Sequence, residues 1–323
     1  MGTPRATVAD SDSTLKQYLA QETDLPSVVR DCISREGANL DLTIGQYFGQ
    51  GCRLPRETWA WLNREGAFSH PLLSKFVAPF PPKDLMENVS GPISERGFAS
   101  HGADFWLALS ELVDQPLTNF GSVLDYGCGC GRLGRMFKGH PGKLYGCDVN
   151  GQHIDWVRQN IPYYSTHLTK PDAPLPYPVA KFDLIISISV FTHISEDSQD
   201  RLLRELFRVS HPGTVLLLTI HGERAMERVI NEPKIWEMIS VDKKLFEESK
   251  SRFERGEYGF ILQWDQYPWC DPTSDHFPYG VSFIPRSYIS SHWGKWFHIE
   301  KQMSGALHDW QDVIVMRPRK TPT

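Results

Sequence analysis

Cysteine is scarce, long hydrophobic runs are missing, and charge leans only slightly to one side. The chain has 6 cysteines in 323 residues: Cys32, Cys52, Cys128, Cys130, Cys147 and Cys270. Their spacing forms neither a disulfide framework nor paired zinc ligands. A reducing, cytoplasmic location is therefore expected, and no metal. No apolar run approaches the roughly 18 residues needed to cross a bilayer. The polar, mildly acidic start does not read as a signal peptide, so no membrane partner is expected. Met1-Gly2 opens like a myristoylation site, but position 6 is Ala where Ser or Thr is required. The net charge of −5 offers no basic footprint for nucleic acid, and nucleic acid is excluded as a partner on that ground. No internal repeat or low-complexity tract is visible. The chain is long enough for a full core and one to two domains.

What is present is concentrated in Val123-Leu124-Asp125-Tyr126-Gly127-Cys128-Gly129-Cys130-Gly131-Arg132. Val123 and Leu124 read as the end of a buried strand, and Asp125 stands where it stops. Three glycines at every second position let the backbone turn and approach a ligand with no Cβ in the way. A helix is expected at once, over Arg132–Lys138. Strand, glycine turn and helix together suit a nucleotide-like ligand at a helix N-terminus. From Gly129 the letters also fit the dinucleotide fingerprint, with Asp148 about 20 residues on. Placement argues against it, because Tyr126-Gly127-Cys128 would stand between strand and turn, and that fingerprint has no use for an acid at the strand end.

An α/β alternation surrounds this stretch. Strands are predicted at Lys143–Asp148, Tyr163–Leu168, Phe182–Ser189 and Thr214–Ile220, with helices at Gln152–Ile161 and Glu196–Ser210. Phe182–Ser189 is apolar on both faces, as a central parallel strand should be. Upstream, residues 1–13 read as a disordered tail and 14–121 as a helical, proline-punctuated cap region. Its clearest helix is Ala103–Gln115, where Phe105, Leu109, Leu112 and Val113 recur at helical spacing. A core follows over 122–221. Residues 222–283 read as an insertion, with helices at Arg224–Ile239 and Asp242–Arg255 and then an aromatic-rich lid. Residues 284–323 close the core with a helix at Arg286–Lys295 and strands at Phe297–Lys301 and Gln311–Met316. The expected fold is α/β, a doubly wound, mostly parallel seven-stranded sheet with a helical N-terminal region and an insertion after strand five.

Asp125 followed by Gly-x-Gly-x-Gly resembles the first motif of class I S-adenosylmethionine-dependent methyltransferases. The resemblance covers about Val123–Ile220 well and the last strands moderately. It implies that the last strand inserts antiparallel between the fifth and sixth, and that the cofactor is S-adenosylmethionine. It implies that Asp125, Gly127, Cys128, Gly129 and Gly131 hold the methionine end. Asp148, ending the second strand, would bind the ribose hydroxyls through charge-assisted hydrogen bonds, with Val149 flanking the adenine. Thr169 and Asp172 are both candidates for the adenine amino group. Ser189, Val190 and Phe191, ending the fourth strand, should lie beside the cofactor. His221 and His193 are the candidate bases, with His221 preferred because it ends the fifth strand facing the expected acceptor pocket. Asp183 is expected to pair locally. Trp264, Tyr267, Trp269 and Tyr279 suit a lid over an apolar substrate. The histidines His153, His193, His221, His276 and His308 are too scattered to suggest a metal site.

The implied reaction is in-line attack by an acceptor on the activated methyl group. Alignment and water exclusion matter more than a catalytic triad. A small-molecule acceptor, such as a metabolite or natural product, is expected from the aromatic insertion and the missing basic patches. Three alternatives stay open. One has the cofactor serve intramolecular cyclisation or aminocarboxypropyl transfer, releasing methylthioadenosine. Another has the chain bind the cofactor without catalysis. The third is a nicotinamide dehydrogenase.

Overall fold

A computed structural model describes residues 14–21, 30, 33, 41–268, 270 and 277–320. The tail expected at 1–13, and Cys32, Trp269 and His276, lie outside the described residues. The N-terminal region carries α1 (Leu15–Gln21), α2 (Ile44–Phe48), α3 (Arg56–Trp61), α4 (Lys83–Ser90) and α5 (Glu95–Leu112). Pro81 and Pro82 precede α4, where a missing N–H costs nothing. Helix α5 starts eight residues before the predicted Ala103, because the Ser94 side chain accepts from the Gly97 amide and caps it.

The core is a seven-stranded sheet in the order β3-β2-β1-β4-β5-β9-β8. Its strands are β1 (Ser122–Tyr126), β2 (Lys143–Asp148), β3 (Tyr164–Leu168), β4 (Phe182–Ser187), β5 (Ser210–Ile220), β8 (Phe297–Leu307) and β9 (Gln311–Pro318). β1 to β5 pair in parallel. β9 runs antiparallel to both β5 and β8, as the resemblance implied. The alternation of side chains decides which layer each residue joins. Leu184 and Ile186 of β4, with Val215 and Leu217 of β5, pack in one core with Trp59, Trp106 and Leu109 of the N-terminal region. Ile185, Leu216 and Leu218 face the opposite core, with Leu203 and Leu206 of α7 (Glu196–Val209). Between β2 and β3 runs α6 (Gly151–Asn160), capped by the Asn150 side chain.

The insertion holds α8 (Glu223–Asn231), α9 (Pro233–Ile239) and α10 (Lys243–Glu254), followed by β6 (Gly259–Trp264) and β7 (Tyr279–Phe283). β6 and β7 form a separate antiparallel pair. α11 (Arg286–His292) leads into β8.

Four expectations differ from what forms. No full helix follows the glycine turn: only a single 3-10 turn, Gly134–Phe137, fits before β2. Eleven residues separate Gly131 from Lys143, and Gly139, Pro141 and Gly142 break any helix among them. The predicted helix Arg224–Ile239 is two helices, because Pro233 cannot continue the first. The aromatic lid contains the β6–β7 pair rather than irregular chain alone. Strand β8 runs on to Leu307, six residues past the predicted Lys301, through irregular register against β9.

Candidate active site

β1 and β4 lie side by side although two strands, one helix and a 3-10 turn separate them in sequence. Their carboxyl ends therefore open a crevice at a topological switch point, where open α/β sheets bind ligands. A cleft of about 1150 Å³ including its mouth occupies this place. It is lined by Gly127, Gly129, Asp148, Val149, Ser189, Val190, His193, Tyr267 and Tyr279. Residues from segments distant in sequence thus meet at one edge of the sheet.

The glycine turn is shaped by conformation and by clearance. Gly127, Gly129 and Gly131 have φ of 72°, 51° and 84°, the region that L side chains avoid. A Cβ on Gly127 would lie 2.3 Å from Val190 Cγ2, and one on Gly129 2.8 Å from Val89 Cγ2. Val89 belongs to α4, so the N-terminal region closes over the turn. Arg132 Nη1 reinforces this by donating to the Val89 carbonyl at 3.1 Å and to Ser90 Oγ at 3.0 Å. Arg132 also faces the cleft. Burial lowers its pKa to about 10, so it remains a cation at neutral pH.

Asp148 ends β2 with its carboxylate braced from two sides. Oδ2 accepts from the Gly129 amide at 2.8 Å and Oδ1 from the Asn150 amide at 2.8 Å. Each oxygen keeps a lone pair for a further donor. Asp172, a candidate for the adenine amino group, lines the cleft and is held by Arg201 and Ser198. Thr169 lines the same wall.

Asp125 does not reach the cleft surface. It is buried beneath the turn, and its Oδ2 accepts from the Tyr164 hydroxyl at 2.7 Å. Burial raises its pKa to about 6, against the pull of Tyr164 and Arg132. Cys128 and Phe191 are buried as well and do not line the cleft. Burial pushes the Cys128 thiol well above its ordinary value, and Phe191 packs against Trp293. Gly131 turns toward α6, where a Cβ would meet Ile161 Cδ1 at 2.9 Å. These four residues do not line the cleft: Asp125, Cys128 and Gly131 lie in the packing beneath the turn, and Phe191 packs behind the end of β4.

The two candidate bases exchange rank. His221 is buried, with Nδ1 3.2 Å from the Ser282 carbonyl, and packs against Phe283 and Trp310. It does not line the cleft, and burial lowers its pKa to about 3. His193 does line it. Its Nδ1–H donates to the Gly280 carbonyl at 2.8 Å, which leaves Nε2 as the lone-pair nitrogen. Among the described residues Nε2 has no hydrogen-bonding partner. Burial lowers the His193 pKa to about 4, so the ring is neutral at pH 7. It stacks on Tyr279 at 4.7 Å and 9°, and Tyr279 stacks on Tyr267 at 4.4 Å and 20°. Trp264 stands outside this stack, about 41% exposed, with its ring 5.5 Å from Tyr279.

Sequence reasoning missed several participants. Tyr164 orders Asp125, and its signal was two facing glycines: a Cβ at Gly134 or Gly146 would strike its ring. The α4 residues Asn88 and Val89 line the cleft, with no local sequence mark. Asp183 pairs locally as expected, accepting from the Ser122 amide at 2.8 Å and meeting His211 Nε2 at 2.9 Å. His308 is paired with Asp104 at 3.1 Å.

Residues 123–213, which build the glycine turn, Asp148 and the β4 edge, match the methyltransferase domain family. The chain carries a class I S-adenosylmethionine-dependent methyltransferase domain. The human tRNA N(3)-cytidine methyltransferase METTL6 is 30% identical over 143 residues, 41% of this chain and 49% of the relative. Ajmaline N-methyltransferase from Rauvolfia serpentina is 27% identical over 128 residues, 36% of this chain and 42% of the relative. Among solved structures, DesVI of Streptomyces venezuelae is 14% identical, with a TM-score of 0.47 over 75% of this chain and 100% of that one. The chain spans about half the length of METTL6 and less of the other curated relative.

One expectation of the sequence is corrected here. A small-molecule partner with no nucleic acid was inferred from charge, yet curated relatives of the methyltransferase domain, METTL6 and the chicken METTL2, are tRNA methyltransferases. The net charge of a chain averages over its whole surface and does not decide what one cleft admits. Among the described residues no helix is long and apolar enough to cross a membrane.

The cleft fits the cofactor of this domain class. Gly127 and Gly129 line it with bare backbone, and Asp148 keeps acceptor capacity facing the open space. The buried cation of Arg132 faces that space as well.

Proposed function

We propose that the protein transfers a methyl group from S-adenosylmethionine to a ring nitrogen of a planar heterocycle, foremost a pyrimidine base of transfer RNA. The observation that carries this reading is the His193–Tyr279–Tyr267 stack, which shares one cleft with the glycine turn and Asp148. Asp148 would hold the ribose hydroxyls, Arg132 beside the glycine turn the amino-acid end, and Thr169 or Asp172 the adenine amino group. Val149, Ser189 and Val190 would form the apolar and backbone walls beside them. Asp125 would act from beneath, by fixing the turn.

When bound, the cofactor supplies an activated methyl on a good leaving group. The chain's own work is then alignment of the acceptor to roughly 3 Å and exclusion of water. The aromatic stack as a wall of the cleft suits a flat acceptor and also a nearby cation. His193 Nε2 would accept a hydrogen bond from an amino group beside a bare ring nitrogen, or take the proton of a ring N–H as that nitrogen attacks. Residues 222–283 would serve as the lid that carries the two tyrosines. The N-linked methyl named for both METTL6 and the ajmaline enzyme supports nitrogen as the attacked atom.

The test is incubation with methyl-labelled S-adenosylmethionine and two acceptor arms, a transfer RNA pool and a set of free nucleosides and small heterocyclic amines. Label in RNA, with S-adenosylhomocysteine released, is the expected outcome. Label only in the free heterocycles moves the acceptor to a small molecule. Release of methylthioadenosine would replace methyl transfer by another chemistry of the same cofactor. Cofactor left intact in both arms would sink the enzymatic reading.

A further inference from the structure

Ser189 is strained where it stands. Its φ is 60°, a left-handed conformation that L residues other than Gly, Asn and Asp seldom adopt. It follows the end of β4 and lines the cleft. Two tethers from other strands hold it. The Ser189 amide donates to Thr219 Oγ1, near the end of β5, at 2.8 Å. The Gln311 side chain, at the start of β9, grips the hydroxyl: Nε2 donates to Ser189 Oγ at 2.8 Å, and Oγ lies 3.2 Å from Oε1. The strain has a visible consequence one residue on. Val190 is thrown against the glycine turn, where its Cγ2 occupies the space a Cβ on Gly127 would need, 2.3 Å away. The Val190 carbonyl accepts from the His193 amide at 2.9 Å, so the same kink sets the segment that carries His193.

We propose that Gln311 is a positioning residue for cofactor binding, which clamps Ser189 in its left-handed turn and thereby holds Val190 against Gly127. This rests on the reading of the cleft as an S-adenosylmethionine site. A strained residue persists only where its surroundings over-determine it, and the Gln311 amide is one of the two groups that do so here. Without it Ser189 relaxes toward an ordinary φ, Val190 leaves the glycine turn, and the floor of the cleft opens.

The experiment is calorimetric titration of the full chain with S-adenosylhomocysteine, in a double-mutant cycle. Gln311→Ala in the natural background is expected to weaken binding about tenfold, the scale of one strained backbone position. Glycine adopts positive φ without a clamp. In the Ser189→Gly background the same Gln311→Ala change should therefore cost less than about twofold, as expected for removal of the coupling between two touching residues. A merely structural role for Gln311 would lower the melting temperature and weaken binding by the same factor in both backgrounds. That equality would overturn the proposal, as would unchanged binding on Gln311→Ala alone. If Gln311→Ala does not fold, Gln311→Met, which keeps the length and removes both polar contacts to Ser189, is put through the same cycle. If the natural chain itself ignores S-adenosylhomocysteine at millimolar concentration, the cofactor reading fails and the inference falls with it.

Discussion

The Tyr164 hydroxyl donates to Asp125 Oδ2 at 2.7 Å, and this bond ties the strand under the glycine turn to the neighbouring edge of the sheet. Asp125 is buried, and burial raises its pKa from 3.8 to about 6. An acid whose folded value is raised contributes stability that is full below its unfolded value and lost as pH rises through the folded one. The window here runs from about pH 4 to pH 6. Asp125→Asn keeps an acceptor for Tyr164 and removes the buried charge. It is expected to raise stability at pH 7 by about 1–3 kcal/mol and to flatten the slope of stability in that window. Urea melts at pH 4, 5, 6 and 7 on both proteins provide the check. A variant less stable than the natural chain at pH 7 would show that the carboxylate's attraction to Arg132 outweighs its desolvation.

The same tyrosine makes two glycines immovable. A Cβ on Gly134 would lie 2.0 Å from Tyr164 Cε1, inside the van der Waals contact of a rigid ring. Gly134→Ala must push Tyr164 off Asp125 and is expected to cost about 1–3 kcal/mol. Gly151→Ala is the matched control, because its nearest neighbour is Leu168 Cδ2 at 3.9 Å. It opens α6, where alanine is the better helix former by up to about 1 kcal/mol. Thermal melts that lower both variants equally would refute the clash as the cause.

Asp148 is expected to dominate cofactor affinity. Asp148→Ala removes a charged acceptor from the cleft and leaves the Gly129 amide without its 2.8 Å partner. The expected loss is about 1–3 kcal/mol in S-adenosylhomocysteine binding. Comparison with a 2′,3′-dideoxy analogue separates the two effects. If Asp148 meets the ribose, the natural chain should discriminate against the analogue and the variant should not.

The sheet was legible because its signals are local and redundant. Val123-Leu124 and Leu184–Ile186 are apolar at the centre of a parallel sheet, and the glycine turn carries its own spacing. Pro233 was equally visible in the sequence, and splitting the helix there needed only the rule that proline cannot sit in a helix interior. The cap region could not be read so well. Its part in the site comes from α4 lying on Gly129, through Val89 and Arg132, and no pattern within Lys83–Ser90 announces a partner forty residues away. The surroundings of the two histidines were unreadable for a related reason. His193 follows β4 and His221 follows β5, and their difference lies in what packs against them: Gly280 and Tyr279 against His193, which lines the cleft, and Ser282, Phe283 and Trp310 around His221. Four of those residues come from β7 and the fifth, Trp310, from the turn before β9. The aromatic stretch could be recognised as a lid, but not the face it would turn inward.

That packing difference yields the last prediction. His193→Gln is expected to lower turnover by about 10²-fold or more, the lower end of what a general base supplies, with the acceptor that scores in the labelling screen. S-adenosylhomocysteine binding should change far less. The pH dependence follows from the folded values. His193 has its pKa lowered from 6.5 to about 4 by burial, so it is already the free base throughout pH 6–8, and turnover should be flat there on its account. The stability contributed by its neutral ring is full above the ordinary value and lost as pH falls through about 4, so activity and fold should decline together in acid. His221→Gln touches no cleft surface, and its effect should appear in the melting temperature before turnover. A pH–rate limb near 6.5 that disappears in His193→Gln would mean that the ring titrates normally, and burial would not govern it as described.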